Sequence, residues 1–251
     1  ELIEQYKIWR KKALVNPNGQ AGLTKHTRRG ARAHTINFEL GTLKTIFNLA
    51  VKWGYLTRNP VVGVSMLKVE DAKLPRFLSK EECQRLLAAC PAELYPVYFT
   101  FLNTGMRKGE LINLTWEDVD LKTRKILIRP KSDWQPKTRP REIPINDGLH
   151  RLLTRLKKTK TDSPYVFPGP DGQRLTVKLR EKLIRIAEQA GIADLTRVHT
   201  LRHTFASHLI MAGVDVPTVQ KILGHSDIET TMLYTHLAPT HLTEAVNRIS
   251  F

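Results

Sequence analysis

Cysteine is nearly missing from this 251-residue chain, which holds two, Cys83 and Cys90. Two thiols seven positions apart make neither a disulfide framework nor a zinc knuckle. Their spacing puts them two turns apart on one helical face, as buried, reduced side chains in a cytoplasmic setting. No apolar run reaches the length needed to cross a membrane, and no secretory pattern opens the chain, so no membrane partner is expected. A P-loop sequence is absent, as is any evident carboxylate cluster for a pair of magnesium ions; neither a nucleotide nor a metal cofactor is expected. Internal repeats and low-complexity tracts are absent too. The chain opens on Glu1 rather than methionine, inside an expected helix, and reads as a processed or expressed fragment.

Acidic residues are also in short supply. Forty Lys and Arg face 24 Asp and Glu, a net charge of +16. The excess is densest early: residues 1–74 carry 13 basic and 5 acidic side chains, residues 75–251 carry 27 and 19. No acidic block offsets the basic one, which points to a polyanion partner, most simply nucleic acid. A hydrophobic content of 41% is ordinary for a globular protein, and this length can bury one large core or two modest ones.

In chain order, residues 1–14 read as a helix with Leu2, Ile3, Tyr6 and Trp9 on one face. A basic cluster, KHTRRGAR, follows at residues 25–32. Ile36, Leu40, Leu43, Phe47 and Ala50 repeat at helical spacing up to Gly54. Residues 1–65 thus form a small all-helical unit, and residues 66–76 a linker. The capping-box pattern Ser79–Glu82 starts a new helix. A second spans about 94–102, with Pro96 in its first turn, and a third follows Arg107. Short β-prone runs at 126–128 and 142–145 flank a basic, proline-bearing stretch that reads as a long mobile hairpin arm. Helices are expected near 147–158 and 175–189, with a strand candidate at 165–167. The last third is helical again: 199–212 with Leu201, Phe205, Leu209 and Ala212 as its buried stripe, 217–223 ending at Gly224, and 227–236 behind a second capping box, Ser226–Glu229.

Six of the nine histidines lie between His199 and His241. His199 and Arg202, three apart, share a helical face, so both heads can point into a cleft. Arg107 follows a glycine and precedes a helix, where a side chain can be aimed at a ligand. Two guanidiniums suit a phosphodiester, because each offers a planar fork of donors and stays charged. A tyrosine can attack phosphorus if a base or a positive field helps it lose its proton. His203 and His208 read as structural or surface residues. Taken alone, Tyr234 would be an ordinary core or surface tyrosine.

The segments TGMRKGEL (104–111), KTRPREIPI (137–145), HTLRHTFASHL (199–209) and LGHSD (223–227), with Tyr234 nine residues beyond His225, together resemble the motif set of the tyrosine recombinases, the phage-integrase family. The resemblance covers nearly the whole chain. It implies a mainly α fold with a small antiparallel β-sheet: a helical core-type DNA-binding domain over 1–65 and an α+β catalytic domain over 77–251. It also implies catalytic roles for Arg107, Lys137, His199, Arg202, His225 and Tyr234, with Glu110 in support. Arg107 and Arg202 would clamp the scissile phosphate, Lys137 would protonate the 5′ oxygen, His199 would act as base or phosphate donor, His225 would contact the phosphate, and Tyr234 would be the nucleophile. Lys131, on the same arm, is the alternative general acid.

Lys25, Arg28, Arg29, Arg32, Lys131, Arg139 and Arg141 are expected to contact DNA. The implied activity is cutting and rejoining of double-stranded DNA through a 3′-phosphotyrosyl bond, without ATP. Two other readings stay open: a DNA-binding protein that cuts nothing, and a related phosphotyrosine-type topoisomerase. The resemblance further implies a homotetramer on synapsed DNA, joined through a terminal apolar stripe (Leu242, Ala245, Val246, Ile249), with accessory DNA-bending proteins and a nucleoid location. An arm-binding domain before Glu1 would also fit it.

Overall fold

The computed structural model describes residues 1–16, 27–69, 74–159, 162–176, 178–192 and 194–238. The chain divides into two units, Glu1–Lys73 and Leu74–Phe251.

The first unit begins with α1 (Leu2–Arg10). The two-residue strands β1 (Leu14–Val15) and β2 (Arg28–Arg29) pair antiparallel, so the unit is not all-helical as expected. Helix α2 (Ala33–Lys52) follows. Ile36, Leu40 and Ala31 make a small core, against which Ile3 and Tyr6 pack. Leu2 and Trp9, read on the same face, are exposed. Lys7 is buried instead and donates to Ser65 O and Glu4 Oε1, both at 2.7 Å. Arg10 and Tyr6 both reach Glu39 on α2, which ties the two helices by a charged contact as well as an apolar one. Asn37 exchanges two hydrogen bonds with the backbone of Leu67, so the unit extends past the expected start of the linker.

The second unit opens with Arg76, which bridges Glu82 and Asp194. Helix α3 (Lys80–Ala88) has the capping box read from Ser79 and Glu82. Helix α4 (Tyr95–Thr104) carries Pro96 in its first turn and stops at Gly105. Then come α5 (Lys108–Ile112) and β3 (Val119–Asp120), the latter unforeseen. Strands β4 (Lys125–Ile128) and β5 (Arg141–Pro144) complete a three-stranded antiparallel sheet in the order β3-β4-β5. In register, Ile126 faces Ile143 and Ile128 faces Arg141. Residues 165–167, expected as a strand, contribute a single bridge from Tyr165 to Thr115. Helices α6 (Asp147–Lys158) and α7 (Leu179–Gln189) lay Leu149, Leu153, Leu179 and Leu183 into the main core with Tyr98, Phe101 and Ile126.

Helix α8 (His199–Met211) packs against α4 and against α9 (Val216–Leu223). It is covered nearly all round, which is why its apolar stripe is not the one expected. Leu201, Ala206 and Ile210 are buried, but so are Thr200, Arg202, Thr204 and Ser207, while Ala212 is exposed. Among them, Thr204 is satisfied within the fold: its Oγ1 donates to Thr200 O and accepts from Leu78 N. The expected 227–236 helix is broken. Helix α10 (Glu229–Met232) is one turn, and a 3-10 turn, Thr235–Leu237, follows. Ser226 does not cap it: Ile228 is the N-cap, without a side-chain bond, and Asp227 Oδ1 accepts from Glu229 N at 3.0 Å.

Gly105 takes a φ of +61°, and a Cβ there would meet Phe205 Cδ1 at 2.5 Å and Leu223 Cδ2 at 2.7 Å. The position lets α4, α8 and α9 close on one another. Gly105→Ala is expected to cost about 2–4 kcal/mol, combining left-handed strain with overpacking. Denaturant unfolding tests this; a loss under about 0.5 kcal/mol would contradict it.

Candidate active site

Buried carboxylate chemistry organises the site. Glu110, on the first turn of α5, is 2% exposed. Its two oxygens accept from Arg141 Nη1 and Nη2 at 2.9 and 2.7 Å, from the Arg107 backbone N at 2.8 Å, and from Arg107 Nη1 at 3.1 Å. Burial alone would push this carboxyl up; the bidentate bond and charge of Arg141, with help from Arg107, hold it below its ordinary value. Arg107 is thereby fixed at the mouth of α5. Its other contacts are long: Nη1 to Thr138 Oγ1 at 3.3 Å and Nη2 to Gly224 O at 3.4 Å.

Arg202 does not point outward as the helical spacing suggested. It is 2% exposed and donates to Gly105 O and Leu223 O, both at 2.7 Å. Both carbonyls come from helix ends: Gly105 C-caps α4, and Leu223 ends α9 just before Gly224. Nε of Arg202 has no partner among the described residues. Burial, then the charge of Arg107, pushes its guanidinium down to about 9, still charged at neutral pH. Both arginines therefore reach the same turn, Arg202 at Leu223 and Arg107 at Gly224, and that turn presents His225.

His225 Nδ1 lies 2.8 Å from Thr231 Oγ1. Burial, with Arg202 and Arg107 nearby, drops its ring to about 3, so it is neutral at pH 7. His199, at the exposed start of α8, is lowered by desolvation and by the same two arginines. Its ring meets the His203 ring edge-on, 4.7 Å between centroids. Tyr234 is 2% exposed, and burial pushes its phenol up to about 12 while Arg202 pulls the other way. Its hydroxyl lies 2.5 Å from His203 Nδ1. This contact was missed in the sequence, where His203, four residues after His199 on one helix, read as a bystander.

The arm is not free along its length. Lys131 is tied to Asp118, Asn113 O and Thr115 Oγ1, and Arg129 also holds Asp118. Trp134 packs on the core, and its carbonyl accepts from Lys131 N at 2.7 Å. Arg141, expected to face DNA, turns inward to Glu110 and to Ile222 O at 2.8 Å, because its β5 position aims it at α5 and α9. Lys137 and Arg139 are exposed, and among the described residues the Lys137 ammonium has no hydrogen-bond or salt-bridge partner. A cavity of about 730 Å³ opens between this segment and the Gly224–Ser226 turn. In the first unit, Arg29 and Arg32 are exposed and Arg28 half-buried; Lys25 lies outside the described residues, as do His241 and the terminal stripe Leu242–Ile249.

Residues 76–241 match the profile of the phage integrase family. The tyrosine recombinase XerC of Thermodesulfovibrio yellowstonii is 30% identical over 243 residues, which cover 90% of this chain and 79% of that protein. The solved catalytic domain of bacteriophage HP1 integrase is 32% identical, with a TM-score of 0.52 over 68% of this chain and 94% of that one. The Tn1549 transposon integrase, solved in complex with a circular intermediate DNA, matches with a TM-score of 0.68 over 88% of this chain and 81% of that one; at 24% identity this is a likeness of fold.

Arg141→Met strands the Glu110 carboxylate and is expected to lose about 3–5 kcal/mol, whereas the double variant with Glu110→Met recovers part of it. Additive losses in denaturant unfolding would contradict this. Stability should also depend on pH. In the unfolded chain an imidazole takes a proton near its ordinary value of 6.5, but His203 does so only at about 4 and His225 at about 3. Stability is therefore full above about pH 6.5 and falls as pH drops toward 4, by at most about 1.4 kcal/mol per pH unit per histidine. His225→Asn should flatten that fall in thermal melts.

Proposed function

Since the chain belongs to the phage integrase family and is a tyrosine site-specific recombinase, we propose that Tyr234 attacks a phosphodiester of double-stranded DNA to form a 3′-phosphotyrosyl link. The observation that carries this reading is the convergence of Arg107 and Arg202 on the turn that presents His225, with Tyr234 in hydrogen-bond contact with the helix that carries Arg202. Two fixed guanidiniums would neutralise the charge that grows on phosphorus in the transition state. A neutral His225 would donate a hydrogen bond to a nonbridging oxygen, and His199, at the rim, another.

Lys137 is the better candidate for the general acid. Lys131 is held by Asp118, while Lys137 stands on the exposed part of the arm beside Thr138, which touches Arg107. The 5′ hydroxyl it releases is the group that attacks the link again when a partner strand joins. Phosphoester energy stays in the protein–DNA bond, so the exchange consumes no ATP.

The first unit serves as the core-type DNA-binding domain, with Arg28, Arg29 and Arg32 on phosphate, and Arg139 extends that contact from the catalytic unit. Exchange between two duplexes needs a tetramer on synapsed DNA and places the protein at the nucleoid. The Tn1549 integrase, solved with DNA, supports double-stranded DNA as the ligand.

On a nicked suicide substrate, Tyr234→Phe should abolish the covalent adduct and leave DNA affinity within about threefold. Lys137→Ala should slow adduct formation about 10²–10⁴-fold without changing the melting temperature, whereas Lys131→Ala should mainly destabilise the fold. An adduct that survives in Tyr234→Phe, mapped by mass spectrometry to another side chain, would sink the assignment.

A further inference from the structure

The reaction on Tyr234 requires somewhere for the phenol proton to go. Lys137 gives a proton to the 5′ oxygen and does not take one from the nucleophile. Among the described residues, the hydrogen-bond partner of the Tyr234 hydroxyl is His203 Nδ1, at 2.5 Å. The two rings are tilted at 46° with centroids 5.9 Å apart, so the contact is side-on rather than stacked. His203 is held on α8 one residue after Arg202, and Tyr234 sits where α10 gives way to the 3-10 turn, which packs on α8.

We propose that His203 is the proton acceptor for Tyr234 during cleavage and returns that proton during strand joining. This rests on Tyr234 being the nucleophile. In the resting site the phenol donates to Nδ1, so the imidazole carries its proton on Nε2. As the Oη–P bond forms, the O–H bond breaks and the proton passes to Nδ1, giving imidazolium; the P–O5′ bond breaks and O5′ takes its proton from Lys137. In joining, an incoming 5′ hydroxyl gives its proton to the lysine and attacks phosphorus. The P–Oη bond then breaks, and Nδ1–H returns its proton to the leaving phenolate oxygen.

The charged and titratable groups facing His203 are Tyr234, His199, Arg202, Arg197 and His225. Burial and the cations among them hold the ring near 4, and the phenol stands at about 12, so proton transfer before attack is uphill. The nucleophile therefore stays a phenol until phosphorus is in reach. Two things then favour transfer. The oxygen loses basicity as it becomes an ester, and a phosphate anion between the arginines offsets the positive field on the imidazole.

His203→Asn places an amide oxygen near the Nδ1 position, keeping an acceptor for the phenol without a base. His203→Gln is the second variant if the first melts early. Single-turnover adduct formation on a nicked DNA substrate should slow about 10²–10³-fold in His203→Asn, with DNA affinity unchanged. The lost rate should climb about tenfold per pH unit between pH 7 and 9, as direct phenol ionisation takes over, while the wild-type profile is flatter. A substrate with a bridging 5′ sulfur, which leaves without a proton, should rescue Lys137→Ala and not His203→Asn.

Profiles of wild type and variant that run parallel, rescue of both variants by sulfur, or an adduct rate within threefold of wild type would overturn the proposal. A Tyr234→Phe protein that still forms adduct would instead remove the nucleophile assignment, so the two failures are told apart.

Discussion

One buried carboxylate, Glu110, sets the rest of the second unit's chemistry. It joins three pieces of chain that are remote in sequence: the turn before α5, the end of the arm at β5 and, through Arg141, the carbonyl of Ile222 on α9. An acid at 2% exposure is tolerable only because two guanidiniums and a backbone amide satisfy it. The consequence is geometric. Arg107 cannot swing freely, because its own backbone N and one Nη are spent on the same carboxylate, and only the remaining edge of its fork is left for a ligand. Arg141 is the counterweight that keeps Glu110 charged.

The second guanidinium is fixed by a different device. Arg202 is held by backbone carbonyls at the ends of two helices, each followed or formed by a left-handed glycine, Gly105 or Gly224. Carbonyls at helix C-termini carry partial negative charge, which helps to stabilise a buried cation without neutralising it. Arg202 thus stays charged at neutral pH although buried. Gly105 also lets Phe205 of α8 and Leu223 of α9 close on α4, while Gly224 leaves room for Arg141.

Much of this was legible in the linear order of residues. Arg107 after Gly105, His199 three before Arg202, and Tyr234 nine after His225 are local spacings, and local spacing survives folding. The capping box at Ser79 and the stop at Gly224 are of the same kind. What sequence could not give were pairings between distant segments. Arg141 with Glu110 spans 31 positions, and His203 with Tyr234 spans 31 as well. Nothing local distinguishes an inward arginine on a strand from an outward one. The helix expected over 227–236 failed for a related reason. Thr231 and Tyr234 both turn their side chains inward, one to His225 and one to His203, and a regular helix gives way to a single turn and a 3-10 segment. The buried stripe of α8 was misread because polar side chains can be interior when their own helix supplies the hydrogen-bond acceptor, as with Thr204.

The arm carries one more lesson. Trp134 is packed on the core at one end and Arg141 is locked to Glu110 at the other. Only six residues, Gln135 to Pro140, lie between these anchors, and two of them are prolines. Fully stretched, such a segment spans about 20 Å, and proline stiffness keeps it well short of collapse. Lys137 is therefore leashed: exposed as it is, the reach of its ammonium is set by the length of chain between these two anchors and not by any contact it makes.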